Sequence, residues 1–385
     1  MPKITAVEFF QFSAKHHNAS RNWLLLKLLT DTPGLYGLGD ASPMENDAEV
    51  RSIIQGWMPR YLIGKDPLDS EVIWTQLYQD MQARGGRLAS TALSGVDISL
   101  WDIKGKILGQ PIYKLLGGAQ RKKIRVYANG WYSNPGAPEL NGQEAKKVVA
   151  MGYTAMKFDP FGQHNYYTLS LKEAQLAEDR VSAVRDAVGP EVDILVEVHA
   201  KFNVATAVQL GRRLEKYRPM FFEEPVSPEN ISEMAEVRER VNIPIATGER
   251  LYTKFPFMQL LESKAADVFQ PDIANAGGIT ELKKIAALAE AKHVTMAPHN
   301  VCSPVGAMAE FHLDATLVNF LIQEYHAEFY TSHYFDVTSG FPRQKGGFVE
   351  LNDSPGLGLT LNEAEIAKHP PFARTDARGG SMRGI

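Results

Sequence analysis

The 385-residue sequence predicts an α/β protein in which a parallel β-barrel is joined to a smaller α+β domain. From about residue 125 onward, eight short apolar runs end in polar residues, and stretches rich in Ala, Leu and charged residues separate them. The polar residues near the ends of six consecutive runs lie 23 to 27 residues apart, which is about the length of one βα unit. Eight such units close naturally into a TIM barrel.

The start of the chain predicts a β-hairpin or meander. Residues 6–12 and 23–30 have strand composition, and DTPG at residues 31–34 is typical of a turn. Residues 35–43 can therefore return antiparallel to the second strand.

A helix follows within residues 91–109, because apolar residues recur there at spacings of three and four. Its predicted apolar face consists of Leu93, Val96, Leu100, Ile103 and Ile107. Gly109 and Pro111 are expected to end the helix.

The eight apolar runs predict the barrel strands. They are VYANGW (126–131), AMKFD (155–159), ILVEVH (194–199), MFFEEP (220–225), PIATGE (244–249), DVFQPD (267–272), TMAPH (295–299) and FLIQE (320–324). We expect the barrel to cover residues 125–340 and the first domain to cover residues 1–124. Residues 346–363 carry a second strand–turn–strand pattern, so residues 341–385 are expected to return to the first domain.

Composition limits the classes of function. The net charge is −4 and no segment concentrates Lys and Arg, so nucleic acid is not an expected partner. The amino terminus lacks the apolar core of a signal peptide and no run is long enough to span a membrane, which predicts a cytoplasmic protein with a small-molecule substrate. The single cysteine, Cys302, excludes an internal disulfide framework and a Cys-based zinc site.

Three carboxylates end consecutive predicted strands, Glu197, Glu223 and Glu249. Because the carboxyl ends of barrel strands meet at one mouth, these side chains are expected to converge there. An all-oxygen site suits Mg²⁺, and without a cation the carboxylates would repel one another. The alternative is three independent solvated acids.

The histidines at strand ends predict proton transfer beside this cluster. His299 and Asp272 end neighbouring strands, so the carboxylate can orient the imidazole. His199 lies two residues after Glu197, and the strand period of two points both to the same side. With Lys157 at the end of the preceding strand, the set favours removal of a proton α to a carboxylate, and then dehydration. For each His alone, a structural hydrogen bond is the alternative.

Several motifs resemble the enolase superfamily, in its mandelate racemase-like branch. They are residues 92–118, FEEP (222–225), IATGER (245–250), QPDIANAGGITE (270–281) and APH (297–299), in the order of that family. The resemblance covers nearly the whole chain. It implies an α+β capping domain over a modified (β/α)₇β barrel, one Mg²⁺ and an enediolate intermediate.

The resemblance also implies roles for individual residues. Glu197, Glu223 and Glu249 would be metal ligands, and His299 with Asp272 would be the base. Glu324 would hydrogen-bond the enediolate. His199 matches the general acid of acid-sugar dehydratases, in which it protonates the leaving 3-hydroxyl.

Two departures from the family pattern affect the predicted reaction. The first metal ligand is Glu197 where the branch commonly has Asp, and Asp159 replaces the second lysine of its Lys-x-Lys pair. Loss of the second base disfavours racemisation, and YANGWY and KFDPFG resemble gluconate and galactonate dehydratases most. The prediction is an aldonate dehydratase that gives a 2-keto-3-deoxy acid. An epimerase or cycloisomerase and a catalytically silent sugar-acid-binding barrel are the alternatives.

Candidates for substrate binding lie in the loops and at strand ends. Lys157 would neutralise the substrate carboxylate, and Trp131 could pack against the sugar or belong to the core. The remaining candidates are Asp159, Arg250, His16, His17 and Arg84, of which the last three could also belong to solvated loops. The resemblance further implies a symmetric homo-oligomer, with an octamer as one candidate.

Overall fold

The computed structural model describes residues 1–16, 19–43, 46–81, 86–133, 136–162, 167–330 and 332–372. Its first three strands, β1 (Ile4–His16), β2 (Ala19–Thr30) and β3 (Tyr36–Asp40), form an antiparallel sheet in sequence order. This arrangement confirms the predicted meander. Alternate residues of β2 face different cores: Leu24, Leu26 and Leu28 pack with the helices of the first domain, whereas Trp23 and Leu25 pack with the barrel.

The helices of the first domain cover one face of this sheet. They are α1 (Asp47–Trp57), a π-helical turn at Met58–Leu62, α2 (Ser70–Asp80), α3 (Arg87–Leu108) and α4 (Ile112–Leu115). Helix α3 approaches β3 so closely that a Cβ added at Gly37 would lie 2.0 Å from the Ser99 carbonyl oxygen. Gly109 ends α3 in the left-handed conformation, with φ of 62°, as its position in the sequence predicts.

Eight parallel strands form the barrel within the described residues. They are β4 (Lys123–Ala128), β5 (Ala155–Phe158), β6 (Asp193–Glu197), β7 (Phe222–Glu223), β8 (Ile245–Thr247), β9 (Val268–Phe269), β10 (Thr295–Met296) and β11 (Gln323–Tyr325). The helices between them are α5 (Pro138–Ala150), α6 (Leu171–Val188), α7 (Val204–Leu214), α8 (Ile231–Arg240), α9 (Lys254–Glu262), α10 (Gly278–Glu290) and α11 (Pro304–Asp314). All eight predicted strands are present.

The sheet closes on itself. Its order is β10-β9-β8-β7-β6-β5-β4-β11, and Met296 exchanges backbone hydrogen bonds with Asn319 and Leu321, just before β11. Because seven helices link the eight strands among the residues that the structure describes, the architecture is the (β/α)₇β barrel that the resemblance implies. No helix in the part of the chain that the structure describes combines the length and apolarity needed to cross a bilayer.

The barrel interior consists of an apolar layer with a polar layer above it. One residue from each strand segment contributes to a separate buried cluster: Tyr127, Ala155, Leu195, Phe221, Ala246, Val268, Ala297 and Ile322. Because side chains alternate along a strand, the residue two positions later also points inward. Those positions hold Asn129, Lys157, Glu197, Glu223, Gly248, Gln270, His299 and Glu324.

The chain beyond residue 340 contacts both parts of the molecule. Strand β12 (Thr338–Ser339) pairs with β14 (Thr360–Leu361), and β13 (Phe348–Glu350) pairs with β4. The two strands predicted within residues 346–363 are therefore present as β13 and β14, and each pairs with a different strand. The Leu357 amide donates to Asp102 of α3, and the short helix α12 (Glu363–Ile366) follows β14.

Candidate active site

Three glutamates form a carboxylate cluster at the mouth of the barrel. Glu197 and Glu223 end β6 and β7, Glu249 follows β8, and one oxygen of each lies within 4.8 Å of the others. Glu249 stands one position later than its inward-facing equivalents. Gly248 permits this offset, because its φ is 150° and an added Cβ would lie 2.8 Å from the Gln270 backbone. Converging carboxylate oxygens are the donor set that a hard divalent cation prefers.

Lys157 partly compensates the charge of this cluster. Its buried Nζ lies 2.6 Å from Glu223, 3.0 Å from Glu197 and 3.1 Å from Glu324. Burial and the charge of Glu197 still raise the pKa of Glu223 well above its usual range. Burial alone would lower the pKa of Lys157, but the surrounding carboxylates raise it well above normal. Lys157 is therefore a fixed ammonium ion within the site.

His299 and Asp272 form a buried pair. The Nδ1 atom of His299 lies 2.7 Å from Asp272 Oδ2, while its Nε2 lies 3.0 Å from Glu249 and 3.9 Å from Glu324. Burial opposes protonation of this ring, yet the charges of Glu249 and Glu324 and the bond to Asp272 raise its pKa to about 9. The Asp272 carboxylate fixes which ring nitrogen faces the mouth.

His199 belongs to a second pair of the same kind. Strand β6 ends at Glu197, and His199 takes up a left-handed conformation with φ of 56°, so the predicted strand alternation does not reach it. Its Nδ1 instead lies 2.8 Å from Asp159 Oδ2, and its backbone N–H donates to Glu197. Burial disfavours the charged ring, but Glu197 and Asp159 raise the pKa of His199 above its ordinary value.

Asp159 is held by several partners besides His199. Lys201 contacts its Oδ2, and the Phe161 amide donates to its Oδ1 at 2.9 Å. Burial would raise the pKa of Asp159, but His199 and Lys201 lower it. The sequence assigned Asp159 to substrate binding. In the structure its carboxylate is bonded to His199 and Lys201, so its first effect is on the imidazole.

Glu324 links β11 to groups from several neighbouring segments. It accepts hydrogen bonds from Asn129 at 2.5 Å and from the Asn300 amide at 2.7 Å, in addition to its contact with Lys157. Burial would raise the pKa of Glu324, but Lys157 and His299 lower it well below the usual range. In this form Glu324 is an ionised acceptor.

Arg250 contacts carboxylates of the chain itself. Its guanidinium bonds both Glu249 and Glu224, the second Glu of the FEEP motif. Glu224 is fully buried, and burial raises its pKa to about 7 in spite of Arg250. Arg250, a predicted substrate-binding residue, therefore orients a member of the carboxylate cluster.

The other predicted substrate contacts have different outcomes. Trp131 is only 5% exposed, packs against Phe158, and donates its indole N–H to the Lys157 carbonyl at 2.8 Å. Trp131 therefore occupies the core position that was the alternative to packing against the sugar, and it contacts the strand that carries Lys157. His17, Arg84 and the His16 side chain lie outside the described residues.

Sequence reasoning missed three inward-facing polar residues, Asn129, Gln270 and Arg21. The first two stand two positions beyond the apolar layer, so the strand period could have identified them. Neither amide atom of Gln270 has a hydrogen-bond partner among the described residues, although the side chain is buried. Arg21 lies on the face of β2 that carries Trp23, and the same alternation locates it.

A barrel that gathers carboxylates and His–Asp pairs at its strand ends, beneath an α+β domain, has the architecture of enolase-type enzymes. The chain belongs to the enolase superfamily, in the mandelate racemase/muconate lactonizing enzyme family. Residues 142–365 match the family model "Enolase C-terminal domain-like". Residues 9–117 match the "Mandelate racemase / muconate lactonizing enzyme, N-terminal domain".

Several known proteins are similar to the chain in sequence or structure over most of its length. It is 38% identical to the D-gluconate dehydratase of Thermoproteus tenax over 347 residues, and this alignment covers 90% of this chain and 69% of that protein. It is 34% identical to the D-gluconate/D-galactonate dehydratase of Picrophilus torridus over 96% of this chain and 94% of that protein. A putative mandelate racemase/muconate lactonizing enzyme from Labrenzia alexandrii superposes with a TM-score of 0.91 at 33% identity, over 96% of each chain.

Proposed function

We propose that the protein is a Mg²⁺-dependent dehydratase that converts a sugar acid of the D-gluconate or D-galactonate type to its 2-keto-3-deoxy acid. The observation that carries this proposal is the second His–Asp pair, in which His199, just beyond the strand that supplies Glu197, contacts Asp159, just beyond β5. Dehydration needs a base for the C2 proton and an acid for the departing hydroxide, and the two pairs supply one group each. The relatives with dehydratase names add support.

The donor set fits Mg²⁺. Glu197, Glu223 and Glu249 offer only oxygen, and Glu223 Oε2 is buried with no hydrogen-bond partner in the described part of the chain. When bound there, Mg²⁺ supplies positive charge that stabilises the anion formed as C2 loses its proton.

His299 is the proposed base. Its Nε2 accepts the C2 proton, and Asp272 stabilises the imidazolium that results. The charge of Glu249 raises the pKa of His299 in the ligand-free form, so use of Glu249 as a ligand favours the neutral ring that a base requires.

Lys157 and Glu324 act on the enediolate together. Glu324 is ionised and cannot donate a hydrogen bond to it, so we assign that donation to the Lys157 ammonium. Glu324, held by Asn129 and Asn300, keeps Lys157 in place at 3.1 Å.

His199 completes the reaction. It transfers a proton to the 3-hydroxyl as the C3–O bond breaks, and the hydroxyl leaves as water. The remaining enol loses its hydroxyl proton and takes up a proton at C3, which gives the 2-keto-3-deoxy acid. His299 returns its proton to solvent and His199 regains one, so the enzyme is restored.

Racemisation has weaker support. Lys157 is bonded to three carboxylates, and Asp159, at the position of the family's second lysine, is bonded to His199 and Lys201. Neither is available as a base for C2. The silent-barrel alternative rests only on the departures at Glu197 and Asp159, whereas both His–Asp pairs are assembled.

A panel of aldonates, uronates and aldarates, incubated with Mg²⁺ and assayed for 2-keto-3-deoxy acids, tests the proposal. We expect turnover of six-carbon aldonates, and none after His299→Asn. Formation of an epimerised acid without any keto acid would show that the enzyme is an epimerase and not a dehydratase. Binding without turnover of the whole panel would support the silent barrel.

Two further experiments test the cellular location and the oligomeric state of the protein. Cell fractionation tests the predicted cytoplasmic location, and light scattering of the purified protein tests the predicted symmetric homo-oligomer.

A further inference from the structure

Arg21 carries a buried positive charge toward the barrel. Along β2, the residues at odd-numbered positions Trp23 and Leu25 pack with the barrel core, and Arg21 stands two positions before Trp23. Trp23 packs edge-on against Tyr330 at 5.1 Å, and the Arg21 guanidinium lies 5.7 Å from the same ring. The side chain is therefore aimed into the space between the first domain and the end of β11.

This arginine has no counter-ion in the described part of the chain. It is 9% exposed, its Nη1 atom is buried without a hydrogen-bond partner, and no ion pair involves it there. A buried guanidinium donor without an acceptor costs on the order of 1–3 kcal/mol or more. Such a group is expected where a ligand supplies the missing acceptor.

The position of Arg21 identifies the part of the ligand that it can reach. The Tyr330 ring that Arg21 faces lies 5.5 Å from the His326 ring, and His326 Nε2 is 3.4 Å from Glu324 Oε1. A chain of contacts through Tyr330, His326 and Glu324 thus leads from Arg21, on the first domain, to Lys157. A substrate whose carboxylate end lies at Lys157 would extend its other end toward Arg21.

We propose that Arg21 binds oxygen atoms at the end of the sugar acid remote from the reacting carboxylate, and so selects substrates by chain length. The proposal rests on the proposed function for the orientation of the substrate. A guanidinium can donate to hydroxyl oxygens or to a second carboxylate, and five N–H groups allow two adjacent oxygens to be bound together. We expect sugar acids with only four carbons not to reach this subsite.

Arg21→Met tests this assignment, because methionine fills similar space without donors. Steady-state kinetics and equilibrium binding in Mg²⁺ would compare a six-carbon aldonate, a six-carbon aldarate and a four-carbon aldonate. We expect KM and Kd to rise 10- to 100-fold for at least one six-carbon acid, with kcat within a few-fold, as the loss of hydrogen bonds to a charged group predicts. The four-carbon acid should be unaffected. The six-carbon acid that loses more affinity identifies the recognised oxygen as hydroxyl or carboxylate.

Arg51→Met is the matched control. Arg51 is exposed and lies 5.0 Å from the Phe9 ring on the first domain, so it has a similar aromatic contact away from the site. We expect wild-type kinetics from this variant. The melting temperature of ligand-free Arg21→Met should equal or exceed that of the wild type, because an unpaired buried charge is removed.

Two results would overturn the proposal. One is an equal loss of affinity for four- and six-carbon acids, which would indicate a structural role. The other is unchanged affinity for both six-carbon acids. Absence of turnover in the wild type would instead contradict the proposed function, and the binding measurements would still test Arg21.

Discussion

The Nδ1 atom of His199 lies 2.8 Å from Asp159 Oδ2, which repeats the 2.7 Å contact between His299 and Asp272. In both pairs the carboxylate engages Nδ1, so Nε2 is the nitrogen that can meet a substrate. The pairs differ in access, because the His299 side chain is 7% exposed and that of His199 is 42% exposed. The enclosed ring suits proton abstraction, and the open ring suits protonation of a group that leaves as water.

An isotope-exchange experiment is expected to distinguish the roles of His299 and His199. His299→Asn should abolish both keto-acid formation and exchange of the C2 proton in D₂O, with a fall in kcat of at least about 10³-fold. His199→Asn should slow keto-acid formation by about 10²-fold or more while C2 exchange persists. NMR of the substrate during turnover measures both processes.

Matched changes of the carboxylates refine this test. Asp272→Asn should impair exchange and dehydration together, whereas Asp159→Asn should impair dehydration alone. Equal loss of exchange in the His199→Asn and His299→Asn variants would contradict the division of roles.

Mg²⁺ is expected to stabilise the protein as well as activate it. The three clustered glutamates are compensated by Lys157 only in part, so cation binding relieves repulsion in the folded state. At a Mg²⁺ concentration near 100 times Kd, the gain in unfolding free energy is about 2.7 kcal/mol. Thermal denaturation with EDTA and with Mg²⁺ should show this gain, and EDTA should abolish turnover.

Glu249→Gln should lose most of the Mg²⁺-dependent rise in melting temperature. Glu239→Gln, at an exposed position of α8, is the control and should retain it. An unaltered response of Glu249→Gln to Mg²⁺ would mean that the cation binds elsewhere.

The barrel was predictable from sequence because its strands are buried on both faces and become polar only at the mouth. The spacing of Glu197, Glu223 and His299 along the chain therefore corresponds to whole numbers of βα units. The resemblance, rather than the spacing, supplied the (β/α)₇β variant and the individual roles.

What the sequence did not predict depends on local breaks in regular geometry. The positive φ of His199 turns its ring toward Asp159, and that pairing cannot be obtained from strand alternation. Arg250 stood beside a predicted ligand, but its partner Glu224 comes from a different strand end. Trp131 could belong to the core or the site until its neighbours were known.

Gln270 is expected to lower the stability of the folded protein and to contribute to catalysis. Both of its side-chain polar atoms are buried without hydrogen-bond partners in the described residues, and it stands in the inward layer between Gly248 and His299. Replacing an unsatisfied amide by an apolar group of similar shape is neutral or stabilising. Gln270→Met should therefore keep or raise the melting temperature while lowering kcat/KM about 10-fold or more.

Gln323→Met provides the contrast for Gln270. The Gln323 amide donates to the Pro298 carbonyl and to Glu310, each at 3.0 Å, so its loss should destabilise the protein by roughly 1–3 kcal/mol. A lower melting temperature for Gln270→Met would show that the amide already has a hydrogen-bond partner in the ligand-free protein. Unchanged turnover would show that the amide does not contribute to catalysis.

His312 is expected to make stability fall on acidification. Its ring is buried in α11, with Nδ1 accepting from the Tyr113 amide at 3.4 Å and Nε2 donating to the Leu357 carbonyl at 3.3 Å. These bonds require the neutral ring, and burial lowers the pKa of His312 from 6.5 to about 4. Below about pH 6.5 the unfolded chain binds a proton that the folded chain does not, so stability falls until about pH 4. The full loss is roughly 3 kcal/mol.

His312→Gln isolates this contribution, because glutamine can make both hydrogen bonds but does not titrate. Urea denaturation at pH 7, 5.5 and 4.5 should show the wild type to be more stable at pH 7, and the difference should shrink or reverse as the pH falls. His293→Asn, at an exposed position, should follow the wild-type curve. Parallel pH profiles for wild type and His312→Gln would mean that His312 takes up its proton in the folded state as readily as in the unfolded chain. Burial would then not lower its pKa.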